Sequence, residues 1–157
     1  IQEIIPNCCI GVDVIVGFPG EGEKEFESTY NFLKDLGVSY LHVFTYSERA
    51  NTTALRKEDV IPKEVRYVRT RQLNILSTKL QRAFYKEQAG HKRAVLWEKD
   101  EHNGLMQGYT DNYIRVCAPF QADYLNKISE VTLTEINSDG IYLTEEFASK
   151  SNLKTAS

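Results

Sequence analysis

The 157-residue chain is 41% hydrophobic and 26% charged, the balance of a soluble globular protein with room for one ordinary domain or two small ones. No apolar run approaches the roughly 20 residues that cross a bilayer, which excludes a membrane-spanning protein. The opening has neither a Met nor the basic-then-apolar pattern of a secretion signal, and Ile1 on the edge of an apolar run reads as a cut from something longer.

Residues 10–16 (IGVDVIV) are nearly all apolar and are followed by Gly17, Phe18, Pro19 and Gly20. Such a run predicts a strand buried on both faces, as in parallel sheets. Asp13 is its one polar member, and an ionised carboxylate needs a partner or a ligand cavity rather than a dry core. Residues 23–36 predict an amphipathic helix: Phe26, Tyr30 and Leu33 form its stripe, widened by Phe32 and Leu36. Glu23, Glu25 and Glu27 suit its first turn and Gly37 its end. Residues 39–46 (SYLHVFTY) read as a second strand, so the segment is a βαβ unit, a piece of a larger α/β domain.

Beyond a polar loop, Pro62 opens a long helix reaching about Ala89, with Val65, Leu73, Leu76, Leu80, Ala83 and Phe84 as its apolar stripe. Lys79, Arg82 and Lys86 line an opposite face, and Gly90 ends it. From Lys92 the pattern changes to short strands: RAVLWEK, LMQGYT, YIRVCAP, ISEVTLTEI and GIYLTE. Asn103-Gly104, Asp111-Asn112 and Asp139-Gly140 supply turns. This spacing predicts a small antiparallel, OB-like barrel with Trp97 in its core. Residues 149–157 read as a disordered tail.

The net charge of -3 hides an asymmetry. Residues 1–55 carry three Lys/Arg against eight Asp/Glu, residues 56–99 twelve against five, and residues 100–157 four against nine. A basic block between acidic ends suits a polyanion, or simply a solvated helix surface. Cys8, Cys9 and Cys117 read as buried thiols in a reducing cytoplasm. Adjacent cysteines on a strand point to opposite faces, and no CxxC or CxxxCxxC is present, so no metal site is predicted.

The segment VDVIVGFPGE (Val12 to Glu21) with its acidic-start helix resembles part of the catalytic domain of the radical-SAM tRNA methylthiotransferases. HVFTYSERANTTA (His42 to Ala54) is similar to their second marker, F-x-Y-S-x-R-x-G-T-x-A. Phe44, Tyr46, Ser47, Arg49, Thr52 and Ala54 match, and Asn51 replaces the glycine; Asn is the best substitute for glycine in a left-handed turn. AVLWE and GYTDNYIRV resemble pieces of the TRAM domain that ends these enzymes, so the likeness covers about 140 residues. The histidine and the S-E-R wording look most like the branch acting on threonylcarbamoyladenosine.

The resemblance implies an α/β plus all-β protein. Residues 1–61 would be the C-terminal part of a radical-SAM partial barrel, 62–90 a connecting helix and 91–148 a TRAM barrel. It implies S-adenosylmethionine and 4Fe-4S clusters in the parent enzyme, tRNA as partner and cytoplasmic location, with neither cofactor expected on this segment. Candidate cofactor contacts are Asp13, Gly17, Phe18, Pro19, Gly20 and Arg49. Candidate RNA contacts are Lys79, Arg82, Lys86, Lys92, Arg93, Tyr109, Tyr113 and Arg115, cations for phosphate and rings for bases. No catalytic or metal-ligating residue is expected here. A ribosomal-protein methylthiotransferase and a non-enzymatic OB-like binding module are the rival readings.

Overall fold

The computed structural model describes residues 1–102, 104–144 and 154–155, the side chains of 99–102 and 154–155 apart. It forms two compact units: Cys9–Phe84, and Ile1–Cys8 together with the chain from Tyr85 onward.

The first unit is built from strand β1 (Gly11–Val16), helix α1 (Glu23–Asp35), strand β2 (Tyr40–Thr45) and most of helix α2 (Lys63–Glu87). β1 and β2 pair in parallel from Gly11↔Tyr40 to Val16↔Thr45, so the expected βαβ unit is present. Its core is Val16, Phe26, Leu33, Val38, Leu41, Leu73 and Leu76, with Val12, Val14 and Val43 packed against it. Ser77 on α2 donates to the Leu41 carbonyl at 3.0 Å and accepts the Leu41 N–H at 2.9 Å, which ties the helix to β2.

Three expectations are corrected here. β1 is covered on one face only: Gly11, Asp13 and Ile15 are exposed, Ile15 by 59%. An all-apolar run carries no period-2 signal, so its sequence cannot say which face is covered. Phe32 on α1 and Leu36 just past its end are exposed instead of widening the buried stripe. On α2, Ala83 is exposed, and the stripe that ends in Leu73, Leu76 and Phe84 begins with two buried arginines, Arg66 and Arg69.

The second unit contains β3 (Lys92–His102), β4 (Leu105–Thr110), β5 (Arg115–Pro119), β6 (Lys127–Thr132), β7 (Glu135–Ile136), β8 (Tyr142–Leu143) and β9 (Lys154–Thr155). Strand order is β7-β8-β5-β4-β3-β6-β9. The predicted ISEVTLTEI strand is split into β6 and β7, and β5 pairs with β8 in parallel. Among the described residues the sheet is therefore mixed and open, not a closed antiparallel barrel; two-residue strands supply too few ladder bonds to close one. Of the predicted tail, 149–153 and 156–157 lie outside the described residues, as do Asn103 of a predicted turn and Glu145 of the last predicted strand.

Inward-facing Val95, Trp97, Met106, Val116, Val131 and Tyr142 fill the core, as the alternation of AVLWE and YIRVC requires. Trp97 is fully buried, and its indole N–H donates to Ser129 Oγ at 2.8 Å. The Tyr142 hydroxyl donates to the Tyr85 carbonyl at 2.6 Å, so both polar tips are satisfied in the core.

Candidate functional site

In the first unit both marker motifs run out of β1 and β2 into the loops that leave the C-terminal ends of these strands. α2 holds both loops. Arg66 and Arg69, only 3% and 4% exposed, stand one turn apart on its buried face. Arg66 donates to Ile61 O at 2.7 Å, Tyr46 O at 3.1 Å and the Glu48 carboxylate at 2.5 Å. Its guanidinium also lies 5.3 Å from the Tyr46 ring centroid. Arg69 donates to the Glu21 carbonyl at 2.6 Å, the Glu21 carboxylate at 3.0 Å and Glu23 at 3.2 Å. The Glu21 carboxylate in turn accepts the Gly17 N–H at 2.6 Å. A relay thus runs from α2 through Glu21 to the turn after β1. Buried cations cost desolvation energy and are retained only with good partners; these two have them, although Arg69 Nε has none.

This geometry explains Gly17 without a ligand. Its φ is +80°, and a Cβ there would lie 2.3 Å from Arg66 Cγ. Gly20 (φ +93°) faces open space, and its N–H donates to Asp59 O at 2.8 Å. Asn51 has φ 65°, so Asn does replace glycine in a left-handed turn as expected. The Phe18 ring is exposed, edge-on to Tyr46 at 5.2 Å and below Lys57 Nζ at 5.7 Å. Asp13 lies opposite His42 on the open face of the sheet, beside the Ile15–Phe44 pair, and makes no ion pair among the described residues. Arg49 is exposed, and its carbonyl accepts the Thr52 hydroxyl at 2.9 Å.

The Arg66 hydrogen bond is the main cause that holds the Glu48 carboxyl down at about 2, against an ordinary 4.5. Because the folded value is the lower one, the pair stabilises fully above about pH 4.5 and loses its effect as pH falls toward 2. Glu48→Gln should therefore flatten the acid limb of stability. Urea unfolding at neutral pH and near pH 3 checks this, and an unchanged acid limb would show that the pair contributes nothing.

In the second unit, Lys92 is exposed, whereas Arg93 donates to Gln88 Oε1 at 2.6 Å and lies 3.7 Å from Asp111. Arg115 donates to Gln107 Oε1, and its guanidinium lies 5.8 Å from the Tyr109 centroid. Tyr109 and Tyr113 are neighbours at 6.1 Å. On α2, Lys79, Arg82 and Lys86 are all exposed. The structure therefore brings Tyr109, Tyr113 and Arg115 together, and commits Arg93 to internal contacts. Sequence reasoning missed Arg66, Arg69, Glu21 and Glu48.

Among the described residues no three His, Cys, Asp or Glu side chains gather to hold a metal. Cys8 and Cys9 precede β1 instead of lying within a strand and are only half-buried, whereas Cys117 is buried as expected and burial pushes its thiol above the usual value. This donor set does not fit an iron–sulfur cluster. No described helix is long and apolar enough to cross a membrane.

An α/β unit whose strand-end loops are held by one helix, followed by a mixed β unit with an aromatic face, is the architecture defined so far. No family model matches the chain. It is 36% identical over 137 residues, 85% of its length, to the threonylcarbamoyladenosine tRNA methylthiotransferase MtaB of Bacillus subtilis. It is 40% identical over 117 residues, 74% of its length, to the MtaB of Aquifex aeolicus. The tRNA-2-methylthio-N(6)-dimethylallyladenosine synthase of Oceanobacillus iheyensis is 36% identical over 137 residues, 86% of the chain. The matched regions span 30%, 27% and 26% of these relatives respectively. The chain matches a C-terminal part of the tRNA methylthiotransferases.

Proposed function

We propose that the chain is the RNA-holding C-terminal part of an enzyme that methylthiolates threonylcarbamoyladenosine beside the anticodon of tRNA. The observation that carries this is the likeness to methylthiotransferases over most of the chain. In this reading the parent enzyme uses S-adenosylmethionine and 4Fe-4S clusters, and the cofactor supplies the radical that activates the substrate adenine.

The chain's own part toward S-adenosylmethionine is a surface at the end of β1. Gly17 and Gly20 have their N–H groups already bonded internally, so they shape the turn. Pro19 is buried and shapes the turn with them, so the exposed Phe18 ring and the Asp13–Ile15 face are what a cofactor would meet. Arg49, exposed and unpaired by any described carboxylate, is free to take a carboxylate or phosphate in a bidentate fork. The exposed Lys79, Arg82, Lys86 and Lys92 meet tRNA phosphates, Tyr109, Tyr113 and Arg115 supply ring and cation contacts, and Arg93 supports them from within.

Binding of this chain to tRNA should weaken about ten-fold or more between about 50 and 200 mM salt, the consequence of counterion release at a few phosphates. Fluorescence anisotropy checks it, and absent or salt-independent binding would remove the RNA role. Equal identity to the dimethylallyladenosine enzyme favours a second substrate reading. Removing the whole protein from its cell and analysing tRNA nucleosides by mass spectrometry separates the two by which adenosine loses its methylthio group.

A further inference from the structure

Tyr113 has φ 63° and is 71% exposed. A bulky residue in the left-handed region is strained, and Gly or Asn would make the same turn at less cost. Burial does not compensate, since the ring stands mostly in solvent. Instead, a polar network below holds the turn. Buried Asn112 accepts from Thr110 Oγ1 at 2.7 Å and donates to the Asn7 carbonyl at 3.0 Å and to Gln88 Oε1 at 3.2 Å. The Tyr113 N–H donates to Thr110 O at 3.0 Å, and the Ile114 N–H to Thr110 Oγ1 at 2.8 Å. A strained, solvent-facing side chain on a rigid support points to a use outside the fold.

The sheet beside it shows what that use is. Strand register places Ile128, Leu96, Tyr109 and Arg115 in one row across β6, β3, β4 and β5. Leu96 is 45% exposed, although its neighbours Val95 and Trp97 are fully buried. Tyr113 lies beside Tyr109 in this row, and the Arg115 cation stands over the Tyr109 ring. The row is apolar and aromatic, with a cation at one end. Flat aromatic surface beside a cation fits an unpaired base with its phosphate. A duplex keeps its bases stacked inside and would reach only the cation.

We infer that the row Ile128–Leu96–Tyr109–Arg115, overhung by Tyr113, is a stacking platform for unpaired RNA bases, with Asn112 and Gln88 as positioning residues for Tyr113. This rests on the RNA-binding reading above and assigns Leu96, Ile128, Asn112 and Gln88 roles that no charge pattern marks.

The test uses the full chain with a stem-loop RNA carrying 2-aminopurine in its loop, and a fully paired duplex of equal length. Loop binding should change the 2-aminopurine emission and be at least about ten-fold tighter than duplex binding, the scale of one or two stacked bases. Tyr113→Asn should weaken loop binding by about ten-fold, leave the salt slope unchanged, and raise the melting temperature by about 2–5 °C as strain is relieved. Leu96→Ser, a surface change, should weaken loop binding a few-fold without unfolding the unit. Equal binding of loop and duplex, an unaffected Tyr113→Asn variant, or a lower melting temperature would overturn the platform while leaving phosphate-driven binding in place. Absence of all RNA binding would instead overturn the RNA reading beneath it.

Discussion

Replacing Arg69 by Met should cost the first unit about 3–5 kcal/mol, the range for removing one partner of a buried ion pair. The guanidinium is almost fully buried and bonded to the Glu21 carbonyl and carboxylate and to Glu23. Met fills much of the same volume, so packing loss is small. The cost comes from Glu21, which is left in a half-buried site with one N–H donor, that of Gly17. A small domain has only about 5–15 kcal/mol in total, so this change consumes a large share. Arg69→Lys keeps a charge but not the fork that reaches two carboxylates and a carbonyl, and should fall between the two. Urea unfolding followed by far-UV circular dichroism gives the number, and hydrogen exchange at the β1 and β2 amides shows which unit opens. A loss under about 1 kcal/mol for Arg69→Met would mean that the loop after β1 holds itself.

These two arginines mark where the sequence was readable and where it was not. The βαβ unit was legible because Phe26, Tyr30 and Leu33 keep a helical period between two β-rich runs. The turn at Asn51 was legible because one residue type outranks the others in left-handed backbone. Arg66 and Arg69 read as ordinary surface charge in a basic block. Yet stepping back from Leu73 by four and then three residues lands on them, so helical spacing carried the signal and residue type concealed it. The face of β1 was not legible, because an unbroken apolar run has no period. In the β unit the alternation of AVLWE pointed Leu96 outward with no charge to draw notice. Tyr113 was concealed for the opposite reason: propensity assigns such a turn to Asp111 and Asn112, and the structure gives the left-handed position to the residue that suits it least. Barrel closure depends on two-residue pairings between distant segments, which local pattern does not encode.

Gly17→Ala should cost about 2–4 kcal/mol, and the reason lies in Arg66 as much as in Gly17. Ala at φ +80° carries left-handed strain of about 1 kcal/mol. The added methyl would also sit 2.3 Å from Arg66 Cγ, and overpacking of this kind costs about 1–3 kcal/mol. A long side chain could often swing aside, but Cγ is near the backbone and the head is fixed by three acceptors. Moving it would release the loop after β2 as well as the one after β1. The two positions should therefore be coupled. In an Arg66→Ala background the same glycine change should cost about 1 kcal/mol less or better, because the clashes with Cγ and Cδ are gone and only the backbone strain and a tight contact with Cβ at 3.0 Å remain. A four-variant thermodynamic cycle by urea unfolding measures this, and strictly additive losses would show that the turn after β1 keeps its shape independently of Arg66.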